Sequence, residues 1–322
     1  MPGAPFAIKA GGFIKGAGHG HPFKDRYGND WYVATIVVAS KEHYERRIGI
    51  FPAFYKDGYA HAITEYMDFP FILPNKKVDF SQDQISAGMN LLSYNKQMKA
   101  SSSLDTHQAK MATDEDVRTW WSAASGKKGE WLQMDLGQPM DLSALQISFS
   151  DEGFKTYRHD KNVPVYQYIV EGSLNGTDWQ LLADRSQNTK DQIYELIVLD
   201  KKIKTQFVRI KNTKDFATGY FSIADIRLFG NAKGKVPKQV SNFIVERNKD
   251  RRRIAFTWDK QPSAEGNVIR WGASPEHIDN AIMMYDNQAE LGFFDRDITY
   301  YMTIEAFNES GKSKSSTPIK IN

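Results

Sequence analysis

Hydrophobic and polar residues alternate along much of this chain, in short runs separated by Gly, Asn, Asp and Pro. Alternation with a period of two places successive side chains on opposite faces of a β-strand. Helical periodicity is scarce, and 82–94 is the best helix candidate. The pattern therefore predicts an all-β protein, with its clearest strands at 33–38, 47–51, 144–149, 168–171, 207–210 and 301–306.

The segment 130–137 is the most informative strand candidate. Its alternating part, 131–136, ends on the turn Gly137-Gln138-Pro139. An acidic loop, 112–121, precedes it and holds several carboxylates beside a threonine and a pair of tryptophans. The two segments together predict a strand at the edge of a loop that is rich in polar and aromatic groups.

Two stretches predict domain boundaries. Residues 71–77 follow the last strand of the first region, and 230–237 are rich in Gly and Lys. We therefore expect three pieces, at 1–75, 76–231 and 232–322. The chain of 322 residues is long enough for two or three compact domains.

Composition narrows the classes of function. The chain has no cysteine, which excludes disulfides and thiolate chemistry. The net charge of +3 comes from mixed signs and gives no reason to expect a nucleic-acid partner. No apolar run approaches the roughly 20 residues of a membrane span. The start has no signal peptide, so we expect either a cytoplasmic protein or part of a longer exported one. The first region favours the periplasm, the cell surface or secretion.

Four motifs in order give the middle piece a family resemblance. They are the acidic loop 114–120, the Trp-x-x-x-Asp-Leu-Gly strand 131–137, the strand and Asn-Gly turn 168–179, and the closing strands 207–230. This order resembles the discoidin domain (factor V/VIII type C) and carbohydrate-binding module family 32. The resemblance implies a jelly-roll β-sandwich that mostly binds sugars.

The resemblance also implies a structural calcium ion. Ca²⁺ takes carboxylate, hydroxyl and carbonyl oxygens, and Asp114, Asp116 and Thr119 supply such atoms. Family members close the site with an acidic residue near the C-terminal strand, where this chain has Asp225. The alternative is a solvated turn that Asp114 caps.

The sugar site is expected in the long loop 150–162, because loops on a rigid sandwich are common binding sites. Tyr157, Arg158 and His159 lie together there, and Trp121 and Tyr220 could line the same end. Sugar recognition needs an aromatic face and several hydrogen-bonding groups. Alternatively, Arg158 makes a surface ion pair and Tyr157 packs on the sandwich edge. We expect Trp120 and Trp131 in the core.

The first piece contains Gly16-Ala17-Gly18-His19, followed by strand and turn patterns. It resembles the last blade of the five-bladed propeller of glycoside hydrolase family 43. The resemblance implies that His19 points to the propeller axis and helps to hold a central metal. The alternative is a glycine-rich surface loop. Glycoside hydrolysis needs two carboxyl groups, which that family takes from earlier blades. We therefore expect upstream blades in a longer polypeptide and no catalysis by this chain alone.

The last piece resembles a fibronectin type III domain. Trp258 lies where that family has a core tryptophan, and the run 300–311 resembles its tyrosine strand and the following turn. Trp271 and Tyr301 are expected to pack in or beside the core, the alternative being a ligand platform. The implied fold class is a partial propeller blade, then a discoidin jelly-roll sandwich, then a fibronectin type III sandwich.

The function expected from these features is glycan or polysaccharide binding by the C-terminal region of a family-43-like glycoside hydrolase. The alternative is a cell-surface adhesion protein without enzymatic activity.

Overall fold

The computed structural model describes residues 6–7, 13–39, 45–56, 58–81, 85–154 and 164–322. Their regular structure is almost entirely β, so the all-β prediction is confirmed. The helices among these residues are single 3-10 turns, Thr64–Met67 and Ala109–Ala112. The described part of the helix candidate, 85–94, forms no helix. Neither 3-10 turn is long and apolar enough to cross a membrane.

The chain forms two compact units. The terminal unit contains residues 1–37, 46–90 and 234–322, and the central unit contains residues 38–45 and 91–233. The first and last predicted pieces thus contribute mainly to the same unit. Since residues that are far apart in sequence make up the terminal unit, its fold depends on long-range contacts.

Four antiparallel strands open the chain and form a sheet in the order β1-β2-β3-β4. The strands are β1 (Lys15–Lys24), β2 (Asp30–Ala39), β3 (Glu45–Lys56) and β4 (Tyr59–Ala62). A four-stranded antiparallel sheet is the architecture of one propeller blade. Membership in glycoside hydrolase family 43 stays a prediction.

The predicted linker 71–77 is packed against the turn between β1 and β2. Asn29 is buried and donates from Nδ2 to the backbone oxygen of Lys76, at 2.9 Å, while its Oδ1 accepts from the Val78 amide at 2.7 Å. Phe80 packs edge-on against Trp31, with ring centroids 4.9 Å apart. Hydrogen bonds and an aromatic contact therefore fix this segment to the first sheet.

The C-terminal part of the terminal unit is a sandwich of two antiparallel sheets. One sheet has the order β13-β14-β17, and the other has the order β16-β15-β18-β19 with β20 also on β18. The strands are β13 (Ile244–Arg247), β14 (Ile254–Thr257), β15 (Gly266–Gly272), β16 (Asn280–Met284), β17 (Gln288–Leu291), β18 (Tyr300–Asn308), β19 (Gly311–Lys312) and β20 (Ile319–Ile321). Trp258 and Trp271 are buried in its core, and Tyr301 is half-buried. Assignment to fibronectin type III stays a prediction.

A network of charges joins the first 3-10 turn to this sandwich. Glu65 accepts from Arg270 Nη2 at 2.6 Å and also pairs with Lys312. Glu305 lies 3.0 Å from Arg270 and 3.4 Å from Lys312. Thr64 is buried beside the turn, and its hydroxyl accepts from the Ala281 amide at 3.1 Å.

The central unit is a jelly roll with the strand order β10-β9-β11-β8-β12-β5, to which β6 and β7 add on β8 and β12. Its strands are β5 (Asn90–Leu91), β6 (Gln97–Ala100), β7 (Trp121–Ser122), β8 (Trp131–Phe149), β9 (Tyr168–Ser173), β10 (Gln180–Asp184), β11 (Tyr194–Asn212) and β12 (Ser222–Asn231). The first half of β8 pairs with β6 and its second half with β12, so this strand serves both layers.

The predicted strand 131–136 is the first part of β8, and this prediction is confirmed. Leu132, Met134 and Leu136 are buried, while the residues between them are partly exposed, as alternation requires. Residues 97–100 and 207–211 pair on its two sides. The loop that precedes β8 is therefore connected to a strand that is paired on both sides.

Candidate functional site

The acidic loop follows the 3-10 turn Ala109–Ala112 and leads into β7. Thr119 Oγ1 lies 2.9 and 2.7 Å from the two carboxylate oxygens of Asp114, and it donates to this carboxylate. The Asp116 amide also donates to Asp114 Oδ1, at 3.0 Å. The Asp116 carboxylate accepts from the Arg118 amide at 3.1 Å. The structure therefore brings together the predicted oxygens of Asp114 and Thr119.

Asp225 lies on β12 and is 1% exposed. Its Oδ2 accepts from the Glu115 amide at 3.0 Å, whereas its Oδ1 has no hydrogen-bond partner among the described residues. Burial raises the pKa of Asp225 well above its usual value, and the nearby carboxylates of Glu115 and Asp114 raise it further. The Arg227 guanidinium opposes this increase in the pKa of Asp225.

Glu115 is a buried member of the loop that the sequence analysis did not single out. Its Oε1 accepts from Arg227 Nε at 2.8 Å, and both side chains are 1% exposed. Gln146 Oε1 accepts from Arg227 Nη1 at 3.1 Å. Glu115 Oε2 has no partner among the described residues, and the residue has a positive φ of 62°.

Carboxyl groups and a guanidinium group lie close together around this loop. Asp114 and Glu115 lie in the loop, Asp225 lies on β12, and the Arg227 guanidinium lowers the pKa of Asp225. The group of three potential metal ligands found among the described residues does not include these carboxyl groups. Two buried carboxylate oxygens, one each on Asp225 and Glu115, are unsatisfied. A buried oxygen without a partner carries a desolvation cost that a bound cation would remove.

The predicted sugar-binding residues Tyr157, Arg158 and His159 lie outside the described residues. The prediction for Trp121 is wrong. Its side chain is 0% exposed and packs in the sandwich core, where Nε1 donates to the Ser102 backbone oxygen at 3.1 Å. A fully buried indole has no face for a sugar.

Tyr220 is half-buried at the end of the sandwich. Its amide donates to the Glu152 backbone oxygen at 2.9 Å. Its ring lies so close to Gly153 that an added Cβ would collide with it, and Gly153 has a φ of 74°. Glycine at this position therefore lets Tyr220 pack on residues 151–154, which are the first part of the predicted loop 150–162.

Trp120 is half-buried rather than a core residue, and it forms a cluster with two further side chains. The His107 ring stacks on Trp120, with centroids 4.4 Å apart and planes 21° from parallel. Trp120 Nε1 donates to Glu152 Oε2 at 3.0 Å, and His107 Nε2 lies 3.6 Å from the same oxygen. We call His107, Trp120 and Glu152 the Trp120 cluster. His107 and Glu152 retain about a fifth of their side-chain exposure.

Sequence reasoning did not single out His107 or Glu152, although Glu152 lies within the predicted loop 150–162. They lie in different loops, 13 and 32 residues from Trp120 in the sequence. Trp131, also expected in the core, is half-buried. Period-two alternation predicts that adjacent residues face opposite sides, but it leaves open which of the two tryptophans, 120 or 121, faces inward.

His19 lies exposed on β1 with a positive φ of 50°. The group of potential metal ligands found among the described residues does not include it. Its role in a propeller metal site stays a prediction.

Comparisons with known proteins give a family for the central unit. The F5/8 type C domain model matches residues 97–226, so this part of the chain is an F5/8 type C domain, as the resemblance of the middle piece predicted. No curated protein matches the chain.

Several solved structures are similar to part of this chain. Chitosan-binding module 1 of a chitosanase/glucanase from Paenibacillus sp. IK-5 is 21% identical, with 44% of this chain and 99% of that chain covered and a TM-score of 0.36. Module 2 of that enzyme, in complex with chitotriose, is 23% identical over 43% of this chain and 99% of that chain, with a TM-score of 0.36. The family 32 carbohydrate-binding module of Clostridium perfringens NanJ, in complex with galactose, is 17% identical over 44% and 98%, with a TM-score of 0.36.

Proposed function

We propose that the central unit is a glycan-binding module whose sugar site includes the Trp120 cluster and the predicted residues Tyr157, Arg158 and His159. The supporting observation is the partly exposed His107–Trp120 stack with the Glu152 carboxylate beside it, in loops of an F5/8 type C domain. An indole edge and face can cover the apolar side of a pyranose, while a carboxylate and an imidazole bind its hydroxyl groups.

The contacts of the cluster position these groups before a ligand arrives. The indole N–H holds Glu152 at 3.0 Å, and stacking on Trp120 fixes the plane of the His107 ring. The Tyr220 amide donates to the Glu152 backbone oxygen, and the Tyr220 ring packs against Gly153. Side chains that are already ordered lose less conformational entropy when a ligand binds. The predicted residues Tyr157, Arg158 and His159 would complete the site from the predicted loop 150–162.

The test is binding of the purified chain to a glycan array, followed by titration of the best glycan with variants. Trp120→Ala and Glu152→Gln should each weaken binding at least tenfold. The matched control is Trp179→Ala, since Trp179 is a half-buried aromatic of the same unit whose ring contacts Arg209 at 3.9 Å instead. Tyr157→Ala with Arg158→Ala tests the loop contribution.

Unchanged affinity in Trp120→Ala, with normal folding, would refute the site. Loss of binding in Trp179→Ala alone would place the site on the sheet face beside Arg209. A chain that binds no glycan on the array would contradict the proposed function itself.

The calcium ion is part of this proposal. Asp114, Asp116, Thr119 and Asp225, with Glu115 nearby, would hold it, and its role would be to fix the loop that precedes Trp120. The unsatisfied buried oxygens of Asp225 and Glu115 support this assignment. The ion supplies rigidity and charge balance, with no part in a reaction.

The wider context in this proposal is the C-terminal region of a family-43-like glycoside hydrolase that acts outside the cytoplasm. The four-stranded sheet β1–β4 and the Gly-x-Gly-His motif that ends at His19 support it. Glycan binding by the central unit would keep preceding catalytic blades at their substrate, which raises the effective concentration of that substrate. A reading frame with propeller blades upstream would support this context, and a promoter directly before Met1 would contradict it.

A further inference from the structure

A second set of polar side chains meets in the terminal unit. It consists of His61 on β4, His277 in the turn after β15, and Asp279 directly before β16. One ligand atom from each residue lies within 4.8 Å of the other two. His61 is more than 200 positions away from His277 and Asp279 in the sequence, so only the folded chain brings it to them.

The contacts within this set leave one imidazole unsatisfied. Asp279 Oδ2 lies 2.8 Å from His61 Nδ1 and 3.9 Å from His277 Nδ1, so only His61 is within hydrogen-bond distance. His277 is 8% exposed, and its Nε2 has no hydrogen-bond partner in the part of the chain that the structure describes. A buried ring nitrogen without a partner is costly and needs a reason.

The backbone and the neighbouring rings hold the three residues in place. Phe54 stacks on His61, with centroids 4.7 Å apart and planes 6° from parallel. The His277 amide donates to the Ser274 backbone oxygen at 3.2 Å. Gly272 on β15 lies against this turn, and a Cβ there would collide with the His277 backbone oxygen. The positions of the two imidazoles are therefore fixed by packing before any ligand binds.

All three side chains line a cavity of about 430 Å³ in the terminal unit. Tyr59, Thr299 and Tyr300 line the same cavity. The cavity is large enough for water or a small ligand beside the three side chains. Anything bound by the two imidazoles and the carboxylate would therefore remain accessible from one side.

We propose that His61, His277 and Asp279 form a site for a divalent first-row transition ion, with Zn²⁺ as the reference ion. Two imidazole nitrogens and one carboxylate oxygen suit such ions, whereas Ca²⁺ and Mg²⁺ prefer oxygen ligands alone. Ligand atoms of a tetrahedral zinc site lie about 3.3 Å apart, given bonds of about 2.0–2.1 Å. The distances of 2.8 and 3.9 Å to Asp279 lie on either side of that value, so small side-chain rotations reach it.

Three protein ligands leave a fourth position of a tetrahedral ion open. Here that position faces the cavity, where water or a small anionic or neutral donor can occupy it. This arrangement differs from a closed structural zinc site, which has four protein ligands. It is also distinct from the proposed calcium loop, which lies in the central unit and offers oxygen ligands.

The test is calorimetric titration of the complete, tag-free, metal-depleted chain with Zn²⁺, with Co²⁺ absorption as an independent readout of the ligands. We expect one tightly bound ion per chain, an increase in the melting temperature and cobalt bands typical of nitrogen and oxygen ligands. His61→Ala and Asp279→Asn should each weaken zinc binding at least tenfold. Asp279→Asn has nearly the same shape as the original residue, so it separates loss of a ligand from loss of the fold.

The matched control is the double variant His19→Ala with His21→Ala, which removes two exposed imidazoles of the same unit. It should bind zinc as the unaltered chain does. Three results would overturn the proposal: no zinc binding by the unaltered chain, binding that persists in Asp279→Asn and His61→Ala, or binding that disappears only in the His19 and His21 variant. The last result would assign the ion to exposed histidines of β1.

Discussion

The charge network around Glu65 allows a quantitative prediction for the terminal unit. Burial alone would raise the pKa of Glu65, but the positive charges of Arg270 and Lys312 outweigh it and lower the pKa to about 2 from a usual value of 4.5. The side chain is 16% exposed, so solvent screens these interactions only weakly. The network therefore favours the ionised carboxylate strongly in the folded state.

The substitution Glu65→Gln removes this charge and retains a side chain of nearly the same shape. A lowering of the pKa by about 2.5 corresponds to about 3 kcal/mol of stability at pH 7, since each pKa unit is worth about 1.4 kcal/mol. This is an upper limit, because Glu305 remains within 3.0 Å of Arg270 and 3.4 Å of Lys312 in the variant. We expect a loss of about 2–3 kcal/mol.

The pH dependence has a defined direction. Because the folded-state pKa is lowered, the stabilisation from Glu65 is complete above about pH 4.5 and is lost as the pH falls towards 2. The difference between the unaltered chain and Glu65→Gln should therefore be constant near neutral pH and should shrink in acid. Urea unfolding of the terminal unit at pH 7 and at several values below 4.5 measures it.

Glu290→Gln is the matched control, since Glu290 pairs with Arg253 in the same unit but is 44% exposed. It should cost less than about 1 kcal/mol, as is usual for surface ion pairs. The reasoning would be refuted if Glu65→Gln cost no more than the control, or if its cost remained unchanged at pH 3.

Two further predictions concern the central unit. Trp121→Ala should destabilise it by about 3–5 kcal/mol, because the indole is fully buried and donates to Ser102; urea unfolding that shows a loss below about 1 kcal/mol would contradict this. For the calcium loop, burial and the neighbouring carboxylates raise the pKa of Asp225, so protons compete with a bound ion at this carboxyl group and calcium affinity should increase with pH. Free calcium at 100 times Kd should stabilise the unaltered chain by about 2.7 kcal/mol, seen as a higher melting temperature than in EDTA. Asp225→Asn should lose most of that increase, and equal increases in both proteins would argue against a calcium ligand at this position.

The strands of the central unit were predictable because burial of one face of a strand requires a hydrophobic residue at every second position. Residues 131–136 show this in the sequence and form the first part of β8. The packing of 71–80 was not predictable, since the sequence there reads as a linker. Its order comes from the buried Asn29 and from the contact of Phe80 with Trp31, both distant in sequence.

The candidate site was only partly predictable for a similar reason. The acidic loop is a local feature, so Asp114 and Thr119 were found together, but the burial of Glu115 involves its ion pair with Arg227 on β12, which is distant in sequence. The Trp120 cluster joins side chains from separate loops. Local pattern identifies the residue types of a site, whereas tertiary contacts select which of them meet.

The discontinuous terminal unit has a consequence for synthesis of the protein. Glu65 leaves the ribosome long before Arg270 and Lys312, its partners in the folded chain. At a translation rate of about 5–20 residues per second, synthesis from residue 90 to Arg270 takes roughly ten seconds or more. Residues 46–90 lack those partners during this time. The central unit, whose strands are nearly contiguous in the chain, can fold during this interval. Early nascent chains should therefore depend on chaperones to protect the first sheet until translation is complete.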